Sequence, residues 1–154
     1  MNSIILEGPN GCGKSTLAKL LSEKYGLRIY HATKPASHFE AIELAYGEYH
    51  LAKTPAIFDR SHAISRLIYQ RDTVGILERE LLEVITARSM IQYNIIYCIG
   101  HGKRDIDKAH YTPELIKETQ DQENIRKRYD RAFHYIKHQK FDFKNDDISS
   151  LQLT

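Results

Sequence analysis

Short apolar runs alternate with longer stretches of helical periodicity along the chain. The apolar runs, which the pattern predicts to be buried strands, are residues 3–7, 27–31, 56–59, 94–99 and 141–143. Apolar residues recur at helical spacing between them, in residues 14–25, 37–49, 64–70, 75–90 and about 113–138. Strands that alternate with helices favour right-handed crossovers. The pattern therefore predicts a three-layer α/β fold, with a mostly parallel five-stranded sheet and helices on both faces.

Composition narrows the class of protein. The chain has 154 residues, of which 42% are hydrophobic and 27% charged, and we expect one domain spanning residues 1–154. Its 22 Lys and Arg nearly balance 20 Asp and Glu, which argues against a nucleic-acid coating protein but leaves a local basic patch open. No apolar run reaches about 18 residues and no signal-peptide pattern begins the chain. With only two cysteines, these features predict a cytoplasmic protein that does not enter a membrane.

The first predicted strand leads into a glycine-rich motif that opens the first helix. Residues 8–15 read GPNGCGKS and match G-x-x-x-x-G-K-[ST], the loop that binds nucleotide phosphates. Its backbone amides and the helix N-terminus would surround the phosphates, with Lys14 at the β- and γ-phosphates and Ser15 on Mg²⁺. The predicted nucleotide-binding residues are Gly8, Asn10, Gly11, Cys12, Gly13, Lys14, Ser15 and Thr16. The motif predicts nucleoside triphosphate binding without showing what happens to the γ-phosphate.

An acidic and a basic residue follow the third predicted strand directly. Asp59 and Arg60 would face the same crevice as the phosphate loop, because ligands bind at the carboxyl ends of parallel strands. A carboxylate there can hold Mg²⁺ or accept a proton from an attacking hydroxyl. The neighbouring arginine can clamp a phosphate with two hydrogen bonds.

These motifs together resemble the thymidylate kinase family of P-loop nucleoside and nucleotide kinases. The resemblance rests on residues 6–17, on Asp59-Arg60, and on Ser65 with Tyr69-Gln70; Thr33-Lys34-Pro35 stands where thymidylate kinases carry Arg-Glu-Pro. Asp59-Arg60-Ser61 also resembles the Glu-Arg-Ser of deoxynucleoside kinases. The resemblance implies ATP and Mg²⁺ as cofactors, Asp59 as a base or magnesium residue, and Arg60 at the acceptor. The acceptor-binding candidates that it implies are Arg60, Arg66, Tyr69, Gln70 and Arg71.

The resembled kinases carry an arginine-bearing lid after the fourth strand, which here corresponds to about residues 100–111. Lys103 and Arg104 are adjacent cations in this segment, and we expect Arg104 to neutralise charge on the transferring phosphoryl group.

Three functions are compatible with these motifs. The leading hypothesis is an ATP- and Mg²⁺-dependent kinase whose acceptor is a (deoxy)nucleoside monophosphate or a nucleoside. The first alternative keeps this chemistry but uses a hydroxyl within or at the end of DNA or RNA, so nucleic acid stays a candidate partner. The second is a P-loop ATPase or switch module without a small-molecule acceptor. The resembled kinases are often dimers, so a homodimer is also an open alternative.

Overall fold

A five-stranded parallel sheet organises the chain. The computed structural model describes residues 1–70, 73–99 and 113–154, with the backbone alone at 113–119. The strands are β1 (Ile4–Glu7), β2 (Ile29–His31), β3 (Ile57–Asp59), β4 (Asn94–Cys98) and β5 (Gln139–Phe141). Their order is β2-β3-β1-β4-β5, and all four pairings are parallel. The predicted α/β fold is therefore confirmed.

Helices cover both faces of this sheet. They are α1 (Lys14–Tyr25), α2 (His38–Leu51), α3 (His62–Tyr69), α4 (Ile76–Gln92) and α5 (Pro113–Ala132). On one face, Ile4 and Leu6 of β1 pack against Leu17 of α1. On the other face, Ile5 packs in a cluster with Tyr129 of α5 and with α3. Every residue of β1 is buried, so Ile4–Leu6 form a continuous apolar run rather than an alternating pattern, and the buried Glu7 ends the strand.

Local sequence explains how several helices begin and end. The bounds of α1 agree with the prediction, and Gly26 ends the helix at φ 67°, a left-handed conformation that glycine adopts without strain. Ser37 begins α2 by accepting a hydrogen bond from the Glu40 amide at 3.1 Å. Ser61 similarly precedes α3, directly after the Asp59-Arg60 pair. None of the helices in the described ranges is long and apolar enough to cross a membrane.

Three predicted bounds near the C-terminus were wrong. Strand β5 begins at Gln139 rather than at residue 141. Strand β5 ends at Phe141 rather than residue 143, because the Asp142 carbonyl accepts from the amides of Asn145 and Asp146 and turns the chain. Helix α5 ends at Ala132 rather than near residue 138, since the next hydrogen bonds span three residues, as in a tightened last turn.

The sheet register brings the ends of the central strands together. Asp59 of β3 lies beside Leu6 of β1 and beside His31 of β2, while Glu7 lies beside Tyr97 of β4. The carboxyl ends of four strands therefore meet at one edge, where β1 passes into the phosphate loop.

Candidate active site

The phosphate loop joins the end of β1 to the start of α1. Gly8 has φ 151°, and a Cβ at this position would lie 2.5 Å from the carbonyl oxygen of Cys98, so no other L-residue fits. Gly13 stands at the N-cap of α1 with φ 87°, no side chain caps the helix, and its first turn carries no acidic residue. No side-chain cap therefore binds the first-turn amides of α1, and no acidic residue of that turn offsets the positive end of the helix dipole. This N-terminus suits a phosphate group.

Lys14 is held inside the loop. Its side chain is buried, and Nζ donates a hydrogen bond to the Pro9 carbonyl oxygen at 2.9 Å and lies 3.5 Å from Cys12 Sγ. A buried ammonium with weakly compensating partners has a strong tendency to pair with an anion. The predicted phosphate contact of Lys14 is compatible with this position.

Ser15 and Asp59, the two predicted metal residues, are in contact. Ser15 Oγ donates to Asp59 Oδ2 at 2.9 Å, and His31 Nδ1 lies 3.3 Å from the same oxygen. A hydroxyl and a carboxylate are the hard oxygen ligands that Mg²⁺ takes in nucleotide sites. The residues present therefore fit a magnesium ion between the loop and β3.

Arg60 connects the phosphate loop to the interior. It has φ 76°, the only positive φ among the described non-glycine residues. Its guanidinium donates to the Asn10 side chain at 2.8 Å and to the Tyr129 hydroxyl at 2.7 Å. It also lies over the Tyr69 ring, 5.2 Å from the centroid. A left-handed conformation costs a non-glycine residue about 1–2 kcal/mol, so these contacts hold the arginine against local strain.

Glu7, which the sequence reasoning did not select, lies beneath this arginine. The carboxyl is fully buried and accepts hydrogen bonds from the Ser61 amide at 2.6 Å, from the Ser65 hydroxyl at 3.0 Å and from the Tyr129 hydroxyl at 2.8 Å. Burial raises the pKa of Glu7 to about 7, although the Arg60 charge and the hydrogen bonds oppose the increase. The signal in the sequence was a charged residue at the end of an otherwise apolar strand.

A cavity of about 420 Å³ opens beside these groups. Its lining includes four of the five predicted acceptor-binding residues, namely Arg60, Arg66, Tyr69 and Gln70. The segment 32–35 after β2 also lines the cavity, as do His62 and Ser65 of α3. This volume accommodates a small organic molecule.

The charges in this cavity are partly neutralised. Arg66 Nε donates to Glu78 Oε1 at 2.8 Å, and the Arg66 side chain is only 9% exposed. In this structure Arg66 therefore forms an ion pair between α3 and α4. His62, also missed by the sequence reasoning, contacts the buried Glu48 through Nδ1 at 2.5 Å. Its Nε2 accepts a hydrogen bond from the Thr33 amide at 3.1 Å. His62 thereby ties two walls of the cavity together.

Three of the predicted cations lie outside the described residues. These are Arg71, Lys103 and Arg104, and the lid expected at residues 100–111 is not described either.

A larger cavity, of about 820 Å³, lies between α3, α4 and the end of α5. None of its lining residues belongs to the phosphate loop or to the Ser15–Asp59 pair. By volume alone, this larger cavity would be the candidate binding site. The 420 Å³ cavity is the better candidate because its lining includes Arg60, which contacts the phosphate loop through Asn10.

Comparisons with known proteins identify solved structures that share the fold of this chain. No protein-family model matches the chain, and no curated protein matches it. Solved structures do match. The YorR protein of Bacillus subtilis, in complex with phosphorylated GDP, has a TM-score of 0.66 at 18% identity, with 94% of this chain and 87% of that chain covered. Shikimate kinase from Acinetobacter baumannii, in complex with shikimate, has a TM-score of 0.59 at 15% identity, with 96% and 86% covered. Deoxyadenosine kinase from M. mycoides, with bound dCTP, has a TM-score of 0.52 at 18% identity, with 96% and 93% covered.

The chain shares the parallel α/β fold of these structures, two of which are kinases. At identities of 15–18% the similarity concerns the fold alone and carries no substrate. Ligands of such open α/β sheets bind at the carboxyl ends of the strands. In this chain that edge holds the phosphate loop, the Ser15–Asp59 pair and the 420 Å³ cavity.

Proposed function

We propose that the chain is an ATP- and Mg²⁺-dependent kinase that transfers the γ-phosphate to a (deoxy)nucleoside monophosphate or a nucleoside. One observation carries the proposal: Arg60 lines the 420 Å³ cavity and also donates a hydrogen bond to Asn10 of the phosphate loop. A phosphate donor in the loop and an acceptor in the cavity would therefore share one arginine. That arrangement suits phosphoryl transfer between two bound molecules better than hydrolysis.

The donor side of the proposal uses the loop residues. The backbone amides of Gly8 and of residues 10–16 would bind the triphosphate together with the Lys14 ammonium, whereas Pro9 has no amide hydrogen to donate. This stretch contains all the predicted nucleotide-binding residues, namely Gly8, Asn10, Gly11, Cys12, Gly13, Lys14, Ser15 and Thr16. Ser15 and Asp59, already in contact at 2.9 Å, would hold Mg²⁺. The ion would supply positive charge that offsets the negative charge of the phosphates.

The chemical step needs little from the protein beyond position and charge. The acceptor oxygen forms a bond to the γ-phosphorus, the bond between that phosphorus and the bridging oxygen breaks, and ADP leaves. A nucleoside acceptor loses its hydroxyl proton to a carboxylate or to solvent, and Asp59 is our candidate for the carboxylate. A monophosphate acceptor attacks through an ionised phosphate oxygen and needs no base. Arg60 neutralises charge on the transferring group. Arg104 is assigned the same task on the sequence resemblance alone.

The residues on the acceptor side support a nucleoside unit over other small molecules. The Tyr69 ring offers an apolar face, and the Gln70 side-chain amide offers a donor and an acceptor for the edge of a base. The resemblance to thymidylate kinases places both residues near the acceptor base, and the cavity includes both in its lining. Arg66 and Arg71 are our candidates for an acceptor phosphate. ATP and Mg²⁺ are supplied in the cytoplasm, which is the proposed location.

A screen of ATP consumption tests this function. Nucleosides, deoxynucleoside monophosphates and short oligonucleotides are offered separately to the wild-type protein and to a Lys14→Ala variant. We expect a nucleoside or a monophosphate to raise turnover, and Lys14→Ala to lower that turnover by about 10²–10³-fold. Lys19→Ala, on the exposed side of α1, is the matched control and should retain turnover.

Two results would redirect the proposal. Turnover raised only by oligonucleotides would indicate the polynucleotide alternative, with a strong dependence of binding on salt. Rapid hydrolysis of ATP that no acceptor increases would indicate the ATPase or switch alternative.

A further inference from the structure

Helix α3 lies between the two cavities and contributes different residues to each. The 820 Å³ cavity is lined by Ile64, Leu67 and Ile68, whereas the 420 Å³ cavity is lined by Ser65, Arg66 and Tyr69. At about 100° per residue, these two sets lie roughly 150° apart around the helix axis. A molecule in the 820 Å³ cavity would therefore contact the back of the helix that forms one side of the candidate acceptor site.

The 820 Å³ cavity combines apolar walls with positive charge. Of the fourteen described residues that line it, eight are apolar or aromatic, among them Tyr135, which is 86% exposed. The same fourteen include Arg79, Arg128 and Arg131 but one carboxylate, Glu83, so three positive charges and one negative charge leave a net charge of +2 with histidine neutral. A tyrosine ring offers a flat apolar molecule a face for stacking, and arginines bind anionic oxygens. The lining therefore suits an anion that has a flat apolar body.

Thr86 of α4 adds a buried hydroxyl to this lining. The residue is 6% exposed, and its Oγ1 has no hydrogen-bond partner within the described part of the chain. Buried hydroxyls of folded proteins are rarely left without a partner, because an unmade hydrogen bond costs free energy. A polar atom of a bound molecule would supply this partner. The hydroxyl is thus an indication of a ligand that does not depend on the arginines.

Arg128 connects this cavity to the end of α3. Its Nη1 donates to the carbonyl oxygen of Ile68 at 3.4 Å and to that of Tyr69 at 3.3 Å. Helix α3 ends at Tyr69, so these carbonyls belong to its last turn, where a helix lacks its own donors. Tyr69 and the next residue, Gln70, line the 420 Å³ cavity. An anion bound to Arg128 would compete with the two carbonyls, because a charged acceptor forms the stronger hydrogen bond.

We propose that the 820 Å³ cavity is an effector site for an anion with a flat apolar body. Its phosphate, carboxylate or sulfonate group pairs with Arg128 and with Arg131, which lies three positions later on the same side of α5. Binding draws Arg128 from the end of α3 and thereby weakens acceptor binding, while ATP binding at the phosphate loop is unchanged. This effect on the acceptor rests on the proposed function, whereas the binding site itself does not.

Binding of the dye anilinonaphthalenesulfonate to the full chain tests the site. The dye is a flat aromatic anion whose fluorescence rises in apolar surroundings. We expect saturable binding of one dye per chain, which excess ATP and Mg²⁺ do not displace. Arg131→Glu should raise the dissociation constant about tenfold or more. Lys127→Glu makes the same change of charge one turn earlier on α5, at an exposed residue outside the described lining, and should bind the dye as the wild type does.

Three results of this titration would overturn the site. They are the absence of saturable binding, displacement of the dye by ATP, and equal weakening by Arg131→Glu and Lys127→Glu.

A cavity-filling variant locates the dye without a change of charge. Ala87 is exposed on α4 and lines the cavity, so Ala87→Trp should abolish dye binding while its thermal unfolding matches the wild type. In the wild type, the methyl NMR resonances of Thr86 and Ala87 should shift as the dye saturates, and that of Ala18, buried on α1, should not. Full dye binding by Ala87→Trp, or unmoved Thr86 and Ala87 resonances, would contradict the location.

Kinetics with the acceptor found in the ATP-consumption screen test the effect on transfer. Saturating dye should raise the acceptor KM about fivefold or more in the wild type, leave the KM for ATP unchanged and have no effect on Ala87→Trp. Arg128→Ala should have a raised acceptor KM without dye, and the dye should raise it no further. An acceptor KM that the dye does not change in the wild type overturns the coupling. If no acceptor raises turnover, the proposed function fails, and the dye titration still decides the binding site.

Discussion

The buried carboxyl of Glu7 makes stability depend on pH in a direction that is unusual for a glutamate. Burial raises its pKa from 4.5 to about 7, because water no longer solvates the charge. Between these two pH values the folded protein keeps the Glu7 proton while the unfolded chain has released it. The unfolded state therefore gains stability relative to the folded state as pH rises from about 4.5 to about 7, and the effect levels off above that. The gap between the two pKa values corresponds to about 3 kcal/mol.

Substitution with glutamine isolates this contribution. Glu7→Gln keeps the shape of the side chain and cannot ionise. We expect the free energy of unfolding of the wild type, minus that of Glu7→Gln, to fall by about 3 kcal/mol between pH 4.5 and pH 8. Urea unfolding at pH steps across this range measures the difference, in which the other titrating groups cancel.

A control and a contrary result complete the test. Glu23→Gln removes an exposed carboxyl of α1 and should keep the pH slope of the wild type. If the difference between the wild type and Glu7→Gln is the same at every pH, the reasoning is refuted, because Glu7 would then titrate alike in the folded and unfolded chains.

Two further substitutions test the contacts around the loop. Tyr129→Phe removes a hydroxyl that donates to Glu7 and accepts from Arg60, so we expect a loss of about 1–3 kcal/mol in urea unfolding and a KM that rises more for the acceptor than for ATP. Equal stability and an unchanged KM would contradict that role. Gly8→Ala brings a Cβ to 2.5 Å from a main-chain carbonyl oxygen of β4, so we expect it to lose more than about 2 kcal/mol. Gly47→Ala in α2, where a Cβ meets nothing within 4 Å, should instead stabilise by about 0.5–1 kcal/mol.

Local chemistry made much of this fold predictable. The phosphate loop and α1 follow from glycines, a lysine and helical spacing that lie within one continuous segment, and the predicted bounds of α1 agree with the structure. The position of Asp59 at the edge shared with the loop follows from the general rule for parallel sheets. By contrast, the end of β5 depends on side chains that form a turn at Asp142, and no periodicity reports such a turn.

The buried polar network of the candidate site was not predictable in this way. Glu7 and Tyr129 are separated by 122 positions, and each alone reads as a strand end or a packing residue. Only the packing of α5 on the sheet brings their side chains together. The pairing of Arg66 with Glu78 has the same origin, because it joins two helices whose relative position the sequence pattern does not fix.

The central claim is that this chain transfers a phosphoryl group to a small acceptor. The most direct measurement is mass spectrometry of the acceptors after incubation with ATP and Mg²⁺, with Lys14→Ala as the control. The account predicts that a nucleoside or nucleoside monophosphate gains the mass of one phosphoryl group, in amounts equal to the ADP formed, and that Lys14→Ala forms far less of both. ADP formed by the wild type without any phosphorylated acceptor would contradict it.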